Sequence, residues 1–161
     1  MAFSIPKKAK SWFQYIQTKK GIGSGFELDF DIYYFCLMSG LSNKPRPRKE
    51  DLPSSETTEI IQSFPKEYQN NRHLIIALFI RKELERLGVS LKERKALDTQ
   101  LKILINPTSP TSLSDKGMKE LNSYVYGGFK VLQEYFSEPP RTLDDFLIGF
   151  CKMINKSEGK E

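Results

Sequence analysis

The sequence predicts an all-α protein, a compact single-domain bundle of six or seven helices. Three features predict it. Apolar residues recur at three-and-four spacing in one segment after another. Serine, threonine or asparagine stands where a helix needs its first amides satisfied, and glycine or proline closes each segment. Of the 161 residues, 39% are hydrophobic and 12% aromatic, which supplies one core and is too much large apolar side chain for a disordered chain. Residues 1–155 therefore read as a single helical domain and 156–161 as a frayed C-terminal tail.

Ser4 caps a first helix with Pro6 in its opening turn, and Ala9, Trp12, Phe13 and Ile16 form its buried stripe until it ends near Lys20. Gly21, Gly23 and Gly25 then favour a mobile turn. Asp29 or Asp31 opens a second, central helix through Tyr34, Phe35, Leu37 and Met38 to Gly40. The alternation Glu27, Leu28, Asp29, Phe30, Asp31 also permits a strand there. Pro45, Pro47 and Pro53 make Leu41 to Pro53 an exposed loop, which carries Lys44, Arg46, Arg48 and Lys49.

A short helix is expected from about Ser55 to Phe64, before Pro65. Asn70 or Asn71 opens a longer one that ends at Gly88, with Leu74 to Ile80 as the expected centre of the core. Ser90 with Glu93 makes a capping box ahead of Leu97, Leu101 and Leu104, and Pro107 stops that helix. Ser114 caps a helix through Met118, Leu121, Val125, Phe129 and Leu132, interrupted by Gly127 and Gly128, a pair that signals either a close helix contact or a kink. Thr142 with Asp145 opens the last helix, through Phe146, Leu147, Phe150 and Ile154.

No catalytic or metal site emerges. His73 is the sole histidine available as a base, and its place at a helix start suits capping or solvent. One histidine and two separated cysteines, Cys36 and Cys151, do not make a zinc site, and both thiols sit in apolar stretches as expected of reduced core cysteines. Glu27, Asp29 and Asp31 are explained by helix capping before cation binding. The glycine turn lacks the lysine and hydroxyl of a nucleotide loop. No enzyme activity and no cofactor are expected.

Phe3 and Ile5 are followed by Pro6, Lys7, Lys8 and Lys10, so the apolar run of a signal peptide is missing, and the longest apolar run, Leu74 to Ile80, is too short to span a bilayer. A cytoplasmic location without membrane contact is the expectation. The net charge of +5 favours a polyanionic partner modestly. It is concentrated early: Lys7, Lys8, Lys10, Lys19 and Lys20 form one island and Lys44, Arg46, Arg48 and Lys49 a second. The first island would stand away from the buried stripe and face phosphates. Arg72, Arg81, Lys82, Arg86, Lys92, Arg94 and Lys95 are interleaved with Glu83, Glu85 and Glu93 and read as local ion pairs.

Two segments resemble the DndE family of small helical proteins of bacterial DNA phosphorothioation systems. One is the basic helix and glycine turn followed by FDIYYFCLMSGL (Phe30 to Leu41); the other is LSDKGMKELNSYVYGG (Leu113 to Gly128), a helix bearing glycine, asparagine and glycine. The resemblance implies a non-catalytic DNA-binding partner of sulfur-modification enzymes, with Lys19 and Lys20 as contacts and a homo-oligomer as one form. Residues Glu50 to Asn106 have no counterpart in so small a family.

Two functions follow as expectations. The first is an accessory protein of a DNA-modification or phage-defence system that contacts the DNA backbone through the nine cations of the two islands. The second is a helical adaptor that docks a larger enzyme or ATPase without binding nucleic acid, with Phe26, Phe30, Tyr124 and Tyr126 as aromatic anchors.

Overall fold

A computed structural model describes residues 1–17, 25–43 and 47–157. Among them the chain is predominantly helical, but not purely so. A two-stranded antiparallel sheet, β1 (Phe3–Pro6) with β2 (Thr57–Ile61), accompanies six helices. These are α1 (Lys7–Trp12), α2 (Asp29–Ser42), α3 (Arg72–Leu87), α4 (Arg94–Leu104), α5 (Asp115–Tyr135) and α6 (Leu143–Ser157).

The strands replace helix at two expected places. Ser4 is not a helix cap but pairs with Glu59 in the ladder, and the expected helix from Ser55 to Phe64 is instead a 3₁₀ turn followed by β2. The cause is local. Phe3 and Ile5 lie two apart and are buried side by side, and Thr57, Thr58, Ile60 and Ile61 are β-branched, which favours a pleated surface over a helix. The first helix is also shorter than its pattern suggests, ending at Trp12, although Ala9, Trp12, Phe13 and Ile16 are all buried as one stripe.

The core lies only partly where expected: α2 is central, but the Leu74 to Ile80 run is not its centre. Leu74 is 71% exposed, and α3 buries only Ile75, Ile76, Phe79, Glu83 and Leu84. The centre is the pairing of α2 with α5, both of which run through the middle of the molecule. Gly127 and Gly128 do not interrupt α5, which is continuous over 21 residues. They are the close contact: a Cβ on Gly128 would stand 1.6 Å from the Cys36 carbonyl oxygen, and one on Gly40 of α2 would stand 2.1 Å from that of Tyr124. Glycines on both helices let the backbones meet, which no larger residue permits.

Several expected caps form. Ser114 Oγ accepts the Gly117 amide at 3.0 Å, Thr142 Oγ1 accepts that of Asp145 at 3.2 Å, and Gly88 ends α3 at φ +74°. Asp31 opens α2 by accepting the amides of Glu27 and Leu28, which settles that segment as helix start rather than strand. Glu93 accepts the Ser90 amide at 3.2 Å, while Ser90 Oγ accepts from Lys92, one residue short of the reciprocal pair. At the other end, α6 includes Lys156 and Ser157, and the rest of the expected tail lies outside the described residues.

Candidate functional site

The five described cations of the two islands do not share one environment. Lys19, Lys20, Lys44 and Arg46 lie outside the described residues, as do Gly21 and Gly23 of the glycine turn. Lys7 and Lys8 are exposed in the first turn of α1 and have no ion pair among the described residues. Lys10 Nζ lies 3.1 Å from Asp29 Oδ2.

Arg48 and Lys49 correct the picture of an exposed basic loop. The Arg48 amide donates to the Gly40 carbonyl at 2.8 Å, and Gly127 lies against the Arg48 carbonyl, so this stretch is laid along α2 and α5. Arg48 Nη1 donates to both carboxylate oxygens of Glu134, and Nη2 lies 3.7 Å from Glu50. Lys49 sits between Glu83 (3.4 Å) and Glu120, with its ammonium 5.2 Å from the centre of the Tyr124 ring.

Lys49 thereby joins a buried ionic cluster that sequence reading did not find. Glu83, 2% exposed, accepts from Arg86 Nε at 2.9 Å and from the Tyr124 hydroxyl at 2.5 Å; Arg86 and Lys116 also reach Glu120. Burial pushes the Glu83 carboxyl upward, but hydrogen bonds from Arg86 and Tyr124 and the charges of Lys49 and Arg86 outweigh it and hold the pKa below the ordinary glutamate value. Burial lowers the Lys49 pKa against the pull of Glu83, and raises that of Tyr124. With every carboxylate and cation partnered, the cluster ties α3, α5 and the 47–50 stretch together rather than presenting a reactive group. Of the expected local pairs those of Arg81, Lys82 and Arg86 form, Arg81 and Lys82 each 3.5 Å from Glu85, whereas Arg72, Lys92, Arg94 and Lys95 have no ion pair among the described residues.

Three of the four expected partner anchors are in the core. Phe26, Phe30 and Tyr124 are 4%, 3% and 0% exposed, which corrects their assignment to a docking surface. Phe26 stacks on Phe35 at 5.3 Å, and Phe30 packs against Tyr33 and Tyr68. Aromatic content alone did not separate them from surface residues, because interfaces and cores favour the same side chains. Only Tyr126 is part-exposed, and it opens onto a cavity.

That cavity, about 390 Å³, is bounded by Lys7 and Lys8 of α1, by Tyr126, Phe129 and Lys130 of α5, and by Glu56 before β2. The fold therefore brings together one expected aromatic anchor and Lys7 and Lys8, two lysines without an ion pair among the described residues. A second, shallower cleft of about 420 Å³ runs along α4, lined by Leu91, Leu97 and Leu101 between Arg94 and Asp98. In α4 only Leu104 is buried, and Leu91 just before it is 70% exposed.

The remaining candidates behave as capping or surface groups. Asp29 accepts from Gln17 Nε2 at 3.2 Å, and Asp31 Oδ1 accepts the Tyr68 hydroxyl at 2.5 Å. No cluster of His, Cys, Asp and Glu among the described residues is arranged to hold a metal ion. His73 is exposed in the first turn of α3. Cys36 is buried, and burial raises its thiol pKa, whereas Cys151 is exposed and so is not the core thiol its setting suggested. No helix of the described residues is long and apolar enough to cross a membrane. No family model matches this chain, and neither the curated proteins nor the solved structures contain a match to it.

Proposed function

We propose that this protein is a helical adaptor that docks a larger protein and contributes no catalytic centre of its own. The observation that carries the reading is the uncovered apolar face of α4. Leu97, Leu101 and Leu104 follow the three-and-four spacing of a buried stripe, yet only Leu104 is buried; Leu97 and Leu101 are half-buried along an open cleft that Leu91, 70% exposed in the turn before the helix, extends. An apolar stripe left open beside paired charges is the signature of a surface that a partner covers.

The charges support the same reading. Lys10, Arg48 and Lys49 are held by carboxylates of the chain itself, so a phosphate would have to displace those partners. The test is co-expression with the products of adjacent genes. An adaptor co-elutes with one of them, ignores duplex, nicked and single-stranded DNA at low salt, and loses the partner when Leu91→Glu and Leu97→Glu are combined with folding intact. Retention of the partner by that double variant removes α4 as the docking face.

A second reading keeps a specific observation. Lys7 and Lys8 are exposed and unpaired among the described residues, which suits a DNA-associated accessory protein of the kind the DndE resemblance implies. On that reading Lys7, Lys8, Lys19 and Lys20 meet the DNA backbone, and affinity falls steeply with salt.

A further inference from the structure

We infer that the cavity between α1 and α5 is a binding site for a short acidic peptide segment of the partner protein, one that carries an apolar or aromatic residue beside its carboxylates. This rests on the adaptor reading for the existence of a partner, but it concerns a surface separate from the α4 cleft.

The chemistry of the walls identifies the occupant. Lys7 and Lys8 line the cavity from the first turn of α1 without an ion pair among the described residues, and Lys130 of α5 lines it with its ammonium 3.2 Å from Glu50, so two unpaired cations and one paired cation border the opening. The floor is apolar and already ordered: Phe129 is 4% exposed and sits in the hydrophobic core, with Tyr126 packed at the edge of that core. Cations that line the same cavity as aromatic side chains select an anionic group attached to an apolar body.

Charge on the rim argues for a peptide against nucleic acid. Lys130 is 3.2 Å from Glu50, and Glu56 lines the same cavity. A polyphosphate passing these carboxylates would be repelled at each step. A peptide places one or two carboxylates on the lysines and turns its backbone amides, which are donors, toward Glu56. The cavity, about 390 Å³, is also of a size for a few side chains rather than for a duplex, whose phosphates need an open face.

The test is fluorescence polarisation on the full chain with a panel of short fluorescein-labelled peptides that pair glutamate or aspartate with one aromatic residue. Lysine-for-glutamate counterparts and a single-stranded oligonucleotide are the controls. Acidic members bind, and the Lys7→Glu, Lys8→Glu double variant weakens them about tenfold or more while accepting the lysine counterparts. Ser55→Trp, at an exposed position that lines the cavity, blocks binding by filling the space with no change of charge. Melting curves confirm that each variant folds.

Three results overturn the assignment: no acidic peptide binds, Ser55→Trp leaves binding intact, or the oligonucleotide displaces the peptides and takes the site itself. The Leu91→Glu, Leu97→Glu double variant keeps its peptide affinity in this assay, so failure of the cavity and failure of the α4 docking face are seen separately. Loss of peptide affinity in that variant also counts against a distinct site.

Discussion

Gly128 of α5 lies directly against the carbonyl of Cys36 in α2, so close that a Cβ would sit 1.6 Å from its oxygen and 2.7 Å from the amide nitrogen of Gly40. Nothing flexible is available to move aside, since all the nearest atoms are backbone. Gly128→Ala therefore has to separate the two central helices. The expected cost is about 3 kcal/mol or more, the upper end for overpacking, read as a lowered urea midpoint. An unchanged midpoint would mean that α2 and α5 do not meet at this point.

Asn122, also on α5, anchors the amino end of the chain. Its Oδ1 accepts the Ser4 amide at 3.2 Å and the Tyr33 hydroxyl at 2.8 Å, and its Nδ2 donates to the Ala2 carbonyl at 3.0 Å. Asn122→Leu preserves the volume but strands buried polar groups, with an expected loss of roughly 2 to 4 kcal/mol. Hydrogen exchange at Ser4 should accelerate in that variant. Tyr33→Phe removes a single bond and should cost about 1 kcal/mol.

These two helices show what was legible in the sequence. The stripe Met118, Leu121, Val125, Phe129, Leu132 and the cap Ser114 placed α5 correctly, because a periodic apolar face and its cap are local signals. The glycine pair was visible, but its choice between kink and contact depends on Cys36, which is far away in sequence. The strands failed for a similar reason: Phe3 and Ile5 fit either period over so short a span, and only pairing with Thr57–Ile61 decides. Arg48 and Lys49 looked free beside prolines because their acidic partners, Glu134, Glu83 and Glu120, arrive from α3 and α5. Lys130 and Glu56, which frame the cavity, had no motif to announce them.

The charge environments separate the candidate phosphate contacts. Arg48 is committed to Glu134 and Glu50, so Arg48→Gln should leave any DNA affinity unchanged at low salt. Lys7→Glu with Lys8→Glu, or Lys19→Glu with Lys20→Glu, should weaken whatever binding exists on every sequence alike. Each lost phosphate contact should flatten the dependence of log K on log salt by about 0.9. A filter-binding titration over a salt series checks this; a loss confined to Arg48→Gln would contradict the ion pairing described here.

Stability of the buried cluster should depend on pH with a fixed sign. Glu83 is held below the ordinary glutamate range by Arg86, Tyr124 and Lys49 despite its burial, so its folded pKa lies under its unfolded one. A depressed carboxylate stabilises the fold above the unfolded value, roughly pH 4.3, and that contribution disappears as pH falls through the folded value. Glu83→Gln keeps the shape and the Tyr124 hydrogen bond but removes the charge that Lys49 and Arg86 face. Because the Arg86 side chain remains 34% exposed, water takes up part of the loss, and the cost at neutral pH should be about 2 kcal/mol rather than the larger penalty of a fully buried pair. Urea unfolding from pH 7 down to the acid limit should show the two proteins converging below the ordinary glutamate range. A constant gap across that range would place the stabilisation in packing instead of in the Glu83 charge.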